Sequence, residues 1–175
     1  MLLDYIKLGG TLFIPATHKN LEDILSEKKY KNLRSIAIDI EDSVADTDVK
    51  KALTCIKNIL LDFEKTQLLV FIRPRNFHTL EEILMYENIE KIDGFILPKF
   101  SLQNAKSYLG LLEDTDFFLM PSIEGRELFE SSKLLELKDI LLKYSHKIIL
   151  IRFGLEDMLR QLKMRRKCED SVFDV

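Results

Sequence analysis

Short runs of consecutive apolar residues alternate along this chain with longer stretches in which apolar residues recur every three or four positions. Six short runs stand out: Thr11–Ala16, Ser35–Ile40, Leu68–Arg73, Gly94–Pro98, Phe117–Pro121 and Lys147–Arg152. Each is apolar at most of its positions, the pattern of a strand covered on both faces. Between them, Leu21, Ile24 and Leu25 share one helical face, as do Ala52, Ile56, Ile59 and Leu60, and then Leu80, Ile83 and Leu84. A broader helical stripe runs through Leu134, Leu135, Leu137, Ile140, Leu141 and Leu142. Asp46, Thr47 and Asp48 place capping side chains where the second helix begins. Strict alternation of strand and helix predicts an α/β fold of six β–α units with a parallel sheet. A barrel and an open, doubly wound sheet satisfy that alternation equally.

Composition narrows the setting. The 175 residues are 46% hydrophobic and 31% charged, which predicts a single α/β domain over residues 1–175. Lys and Arg number 26 against 29 Asp and Glu, and a net charge of −3 argues against a general nucleic-acid binder. Cys55 and Cys168 are too few for a disulfide framework and stand in no metal-ligand spacing, so a cytoplasmic location is expected. Asp4 and Lys7 interrupt the first apolar stretch, and no run approaches the length of a membrane span. Neither a signal peptide nor a membrane partner is expected. Gly-rich phosphate loops, dinucleotide fingerprints and zinc-protease motifs are absent from the sequence.

In parallel α/β folds the site lies at the carboxyl ends of the strands. The residues at the end of each apolar run are therefore informative: Thr17 and His18; Asp39, Glu41 and Asp42; Arg73, Arg75 and Asn76; Lys99; Ser122 and Glu124; Arg152, Glu156 and Asp157. Charged residues placed on strand ends, rather than farther out in loops, point to a site on that rim.

The motifs Phe13–Ala16, Ile38–Val44, Ile72-Arg73, Gly94–Lys99, Pro121–Glu124 and Phe153–Asp157 occur in one order along the chain. In that order they resemble the citrate lyase beta-subunit-like branch of the HpcH/HpaI aldolase superfamily. The chain is more similar still to the C–C bond lyase subgroup of the TIM-barrel fold, through Ile72-Arg-Pro-Arg-Asn76, Pro98-Lys-Phe100, Met120-Pro121 with Glu124, and the segment Leu150–Asp174. The likeness spans about Leu8 to Asp174.

The resemblance implies a Mg²⁺- or Mn²⁺-dependent C–C lyase or aldolase. Its substrate would be a 2-keto acid, a hydroxy acid or an acyl-CoA-type thioester, passing through an enolate. Glu124 and Asp157 become the metal ligands, a set that suits a hard cation keeping several waters; Glu156 competes with Asp157, and Glu124 reads also as a helix-start acid. Arg73 becomes the clamp on the substrate carboxylate or enolate oxygen, with Glu41 and Asp42 orienting it and Asp39 directed to the same face. Arg75 is placed to take a second acidic group or to be a loop cation. Lys99 reads as an anion-binding or structural residue rather than a Schiff-base lysine, because neighbouring carboxylates raise a lysine's pKa. Arg165 and Arg166, in a basic tail, are expected to hold a phosphate-like anion or to end a solvated helix. His18 is an acid–base candidate, whereas His78 and His146 read as surface residues.

An eightfold barrel needs about 250 residues, and strands seven and eight have no candidate sequence before Val175. The expectation is an incomplete barrel, closed by a second copy of the chain or by a completing polypeptide. A non-catalytic relative that binds a small anion or a partner protein is the alternative function.

Overall fold

The structure, a computed structural model, describes residues 5–165 and Lys167. Its strands β1 (Thr11–Pro15), β2 (Ser35–Asp39), β3 (Leu69–Arg73), β4 (Gly94–Phe100), β5 (Phe118–Ile123) and β6 (Arg152–Phe153) form one six-stranded sheet in sequential order. Every pairing is parallel. Helices α1 (Leu21–Leu25), α2 (Val49–Asp62), α3 (Phe77–Leu84), α4 (Ala105–Leu111), α5 (Ser131–Lys143) and α6 (Leu155–Gln161) follow the strands in turn. Sequential order excludes the doubly wound alternative, whose strand order reverses at a switch point.

The near-continuous apolar runs divide between two cores, because successive side chains on a strand face opposite ways. Ile36, Ile38, Val70, Ile72, Phe95, Leu97 and Leu119 pack outward against the helices. Ala37, Phe71, Ile96 and Met120 face the other way and form a smaller cluster with Leu8, covered by Phe13, Leu69, Phe118 and Ile149. Laid flat, six strands would hold β1 and β6 roughly 24 Å apart. Instead, the Arg152 guanidinium on β6 lies 4.6 Å from the centre of the Phe13 ring on β1. The sheet is therefore curled, with the smaller cluster on its concave side, as an incomplete TIM-barrel-like fold of six β–α units.

Two strands depart from simple register. On β4, the three steps from Leu97 to Phe100 match only two on β5, from Pro121 to Ile123. In the sixth run, Ile148 bridges Leu119 and Arg152 pairs Ser122, so four steps match three. Each strand thus carries one extra residue, a β-bulge. The expected sixth strand, Lys147–Arg152, is broken at Leu150–Ile151 for this reason. At its start, the Lys147 ammonium donates to the carbonyls of Leu112, Glu113 and Thr115.

Other local expectations change as well. Asp46–Asp48 form a 3₁₀ turn, and Asp48 precedes α2 without a side-chain cap bond. The full capping box belongs to α3: the Thr79 N–H donates to Asn76 Oδ1 at 3.0 Å and the Asn76 N–H to Thr79 Oγ1 at 2.9 Å. Of the α5 stripe, Leu137 and Leu141 are buried, whereas Leu134, Leu135 and Leu142 are exposed beside Ile151 and Phe153. Among the described residues, no helix is long and apolar enough to cross a membrane.

Gly94 opens β4 against β5 at very close range. A Cβ there would lie 1.9 Å from the Phe118 carbonyl oxygen. Gly94→Ala must push the two strands apart, with an expected loss of about 3 kcal/mol in a urea-unfolding experiment. An unchanged midpoint would refute this register.

Candidate active site

The rim is organised from the ends of β2 and β3. Asp39 and Arg73 are the last residues of those strands and face each other in register. Asp39 is 1% exposed. Arg73 Nε donates to Asp39 Oδ1 at 2.6 Å and Nη2 to Oδ2 at 2.8 Å. The same carboxylate accepts the N–H of Glu41 at 3.0 Å and of Ser43 at 3.1 Å, which wraps the next loop around it. Burial alone would raise the Asp39 pKa; the bonds from Arg73 and Ser43 and the Arg73 charge outweigh it and hold the group below the ordinary aspartate value. Burial would likewise lower the Arg73 pKa, and Asp39 overrides it upward.

Arg73 Nη1 reaches Glu41 Oε2 at 2.9 Å and Asp42 Oδ2 at 3.5 Å. The expected contacts with Glu41 and Asp42 are thus present, but the bidentate partner is Asp39, which strand periodicity placed only on the same face. The three carboxylates together occupy this guanidinium. Glu41 is buried, and its Oε1 lies 3.0 Å from Lys99 Nζ. Its oxygens sit at ion-pair distance from Arg73 and Lys99 without a well-aligned hydrogen bond. Burial, aided by Asp42, raises the Glu41 pKa against the pull of those two cations.

Lys99 occupies the β4 bulge in the left-handed backbone region, with φ of 46°. The Glu41 carboxylate at 3.0 Å raises its pKa, against the opposing effect of burial. A Schiff-base lysine needs the reverse.

Arg75 is engaged elsewhere. Nη1 donates to the carbonyls of Ile40, Glu41 and Val44 at 3.4, 3.1 and 3.0 Å, and Nη2 pairs with Asp46. These bonds make it a clamp on the loop between β2 and α2, the loop-cation alternative rather than an open anion contact.

Glu124 comes directly after β5 and is 7% exposed, with Oε2 buried and without a hydrogen-bond partner among the described residues. Asp157, in the first turn of α6, is its hydrogen-bonding neighbour; Glu156 is exposed. Burial, the charge of Glu41 and the bond to Asp157 push Glu124 up to about 7. Gly154 allows the approach, since a Cβ there would stand 2.3 Å from Glu124 Cγ. Asp157 also accepts from Arg160 Nη1 at 2.7 Å. Two carboxylates pressed together in a buried place, one oxygen unpartnered, form a donor set suited to a hard divalent cation. Among the described residues no cluster of three or more His, Cys, Asp or Glu forms a ready-made cage.

Arg152 completes the rim, although its sequence context assigned it no role. It stacks at 4.6 Å on Phe13, and Arg73 lies 5.0 Å from the same ring centre. Burial and the Arg73 charge lower its pKa, opposed by Glu124. Its position at the end of an apolar run was the available signal. His18 is exposed, and its Nδ1 accepts the Asn20 N–H at 3.1 Å, a local turn contact. His78 is exposed and pairs with Glu81 at 3.1 Å, and His146 is exposed in the turn after α5. Arg165 is exposed beside Arg160 and Lys163, whereas Arg166 and Cys168 lie outside the described residues.

Removing one partner from a buried ion pair strands the other. Asp39→Ala should therefore cost about 3–5 kcal/mol in chemical denaturation at neutral pH. Because the Asp39 pKa is depressed on folding, its contribution is full above the unfolded value of 3.8 and is lost as pH falls. A loss below about 1 kcal/mol, the level of an exposed pair, would contradict this role.

The fold has known relatives. CitE from Mycobacterium tuberculosis, in complex with magnesium, acetoacetate and coenzyme A, superposes with a TM-score of 0.57 at 17% identity, covering 93% of this chain. The chain spans 55% of the length of that CitE chain. The lead(II) complex of Haloferax volcanii malate synthase gives a TM-score of 0.67 at 13% identity, over 91% of this chain and 54% of that one. RipC from Yersinia pestis gives 0.57 at 21% identity, over 91% and 63%. No curated protein matches the sequence. The family model for the C–C bond lyase of the TIM-barrel fold matches residues 2–175. With its motifs, strand order and family match in agreement, the chain belongs to the C–C bond lyase family of the TIM-barrel fold.

Proposed function

We propose that this chain carries the metal-binding rim of a Mg²⁺- or Mn²⁺-dependent carbon–carbon lyase of the aldolase type. The substrate class is a small 2-keto acid, hydroxy acid or acyl-CoA-type thioester. The observation that carries this reading is the Glu124–Asp157 pair: adjacent carboxylates at the end of β5 and the start of α6, with a buried unpartnered oxygen on Glu124. Support comes from the CitE neighbour, whose structure holds magnesium and acetoacetate.

In this reading Glu124 and Asp157 hold the ion, and Gly154 leaves room for the Glu124 side chain. When bound, the ion supplies Lewis-acid stabilisation of an enolate as the C–C bond breaks or forms. Arg73 and Asp39 lock the ends of β2 and β3, so that Glu41 and Asp42 are held in fixed positions. Asp42, the exposed acid of that group, is open to solvent, while Glu41 and Lys99 keep each other in place.

Calorimetric titration with Mg²⁺ or Mn²⁺ tests the reading. Glu124→Gln should abolish measurable binding, and unchanged affinity would overturn the assignment. Because the ion needs the deprotonated acid, and Glu124 titrates at about 7, affinity should be about tenfold weaker at pH 6 than at pH 8. Without metal the sign reverses for stability. The folded state holds a proton that the unfolded state, at 4.5, releases, so stability falls as pH rises from 4.5 to about 7. Glu124→Gln should flatten that slope in metal-free thermal melts.

A further inference from the structure

The rim's arginines are in different states. Arg73 is occupied by Asp39, Glu41 and Asp42, and Arg75 by loop carbonyls and Asp46. Arg152 is half-buried, and among the described residues no carboxylate lies within ion-pair distance of it. A half-buried guanidinium that feels Glu124 only from beyond ion-pair distance is stabilised when an anion is brought to it.

The backbone shows how it comes to face the site. Ile149 packs on the concave cluster, so in a regular strand Ile151 would point the same way and Arg152 would point outward. The extra residue at Leu150–Ile151 inverts this: Ile151 and Phe153 line the outer apolar face with α5, and Arg152 turns inward onto Phe13. The bulge on β4 sits beside Lys99, which likewise faces the acidic rim. Bulges that re-aim a side chain are characteristic of strands bordering active sites. The Phe13 ring carries the Arg152 guanidinium at 4.6 Å, and among the described residues no hydrogen bond or ion pair takes up its donors, which can pair with a carboxylate or phosphate in two parallel bonds.

We infer that Arg152, rather than Arg73 or Arg75, is the residue that takes an acidic group of the substrate, a carboxylate or a phosphate, on the concave side of the sheet. This rests on the proposed lyase reading and sharpens it: the substrate carries an anionic group apart from the oxygens directed at Glu124 and Asp157. Arg73 becomes a positioning residue that acts through the carboxylates it holds.

Anion binding measured in EDTA separates this from the metal assignment. The probes are malonate and inorganic phosphate, titrated into the full chain and followed by calorimetry and by the arginine Nε–H signals in NMR. Wild-type protein should bind at least one of them, with a shift in the Nε–H signal that vanishes in Arg152→Met. That variant should bind tenfold or more weakly, Arg152→Lys at an intermediate level, and both should keep measurable Mg²⁺ binding and wild-type far-ultraviolet circular dichroism. Malonate bound alone identifies a carboxylate, phosphate alone a phosphoryl group, and both a general dianion; each supports the proposal. Binding of neither probe, or equal binding by Arg152→Met, overturns it. Failure of the Glu124 titration would leave this result standing and remove the lyase reading instead.

Discussion

Asp39 and Arg73 meet at the ends of neighbouring strands, where the sheet stops supplying backbone partners and the rim begins. A buried carboxylate must have its lone pairs filled, and Asp39 has four donors: two from Arg73 and the N–H groups of Glu41 and Ser43. Those four bonds fix the separation of β2 and β3 and the first residues of the next loop together. Glu41 is placed by that loop, and Lys99 is placed by Glu41. The polar rim is therefore a chain of dependencies with one origin. Charge-assisted bidentate bonds of this kind are short and directional, which is what such an origin requires.

Above that layer, signs of charge are sorted by position. Carboxylates gather around Arg73 and again at Glu124 and Asp157, close enough that Glu41 raises the Glu124 pKa. Cations approach from two bulged strands, Lys99 from β4 and Arg152 from the sixth. In the proposed cation site, burial and the mutual repulsion among the acids let Glu124 keep a proton near neutral pH, and a divalent ion in the proton's place would relieve both.

Much of the fold is written in the apolar pattern. Runs covered on both faces gave the five complete strands within two residues of their observed ends, and alternation gave the parallel sheet. Strand-end position also picked out Arg73, Glu124 and Asp157. What it could not specify was hydrogen-bond competition and side-chain parity. Arg73 and Arg75 look alike on paper, yet one faces a carboxylate across the sheet and the other faces a loop's carbonyls. Strand-end position put Arg152 on the rim but gave it no role, because period-two counting from Ile149 turns it outward, and one inserted residue reverses that count. The α5 stripe misleads for another reason: its periodicity is genuine, but half of it faces away from the described chain.

The stacking of Arg152 on Phe13 joins residues near the two ends of the described sequence. Contacts so distant along the chain carry the largest loop-closure entropy and form late, after local strand–helix units have built a surface to close against. The rim between Glu124, Arg73 and Arg152 consequently has no local precursor. A chain emerging during synthesis can bury most of its outer core before Arg152 exists, but not assemble this side of the concave face. Whatever binds there meets a sheet whose β1 and β6 have already come together.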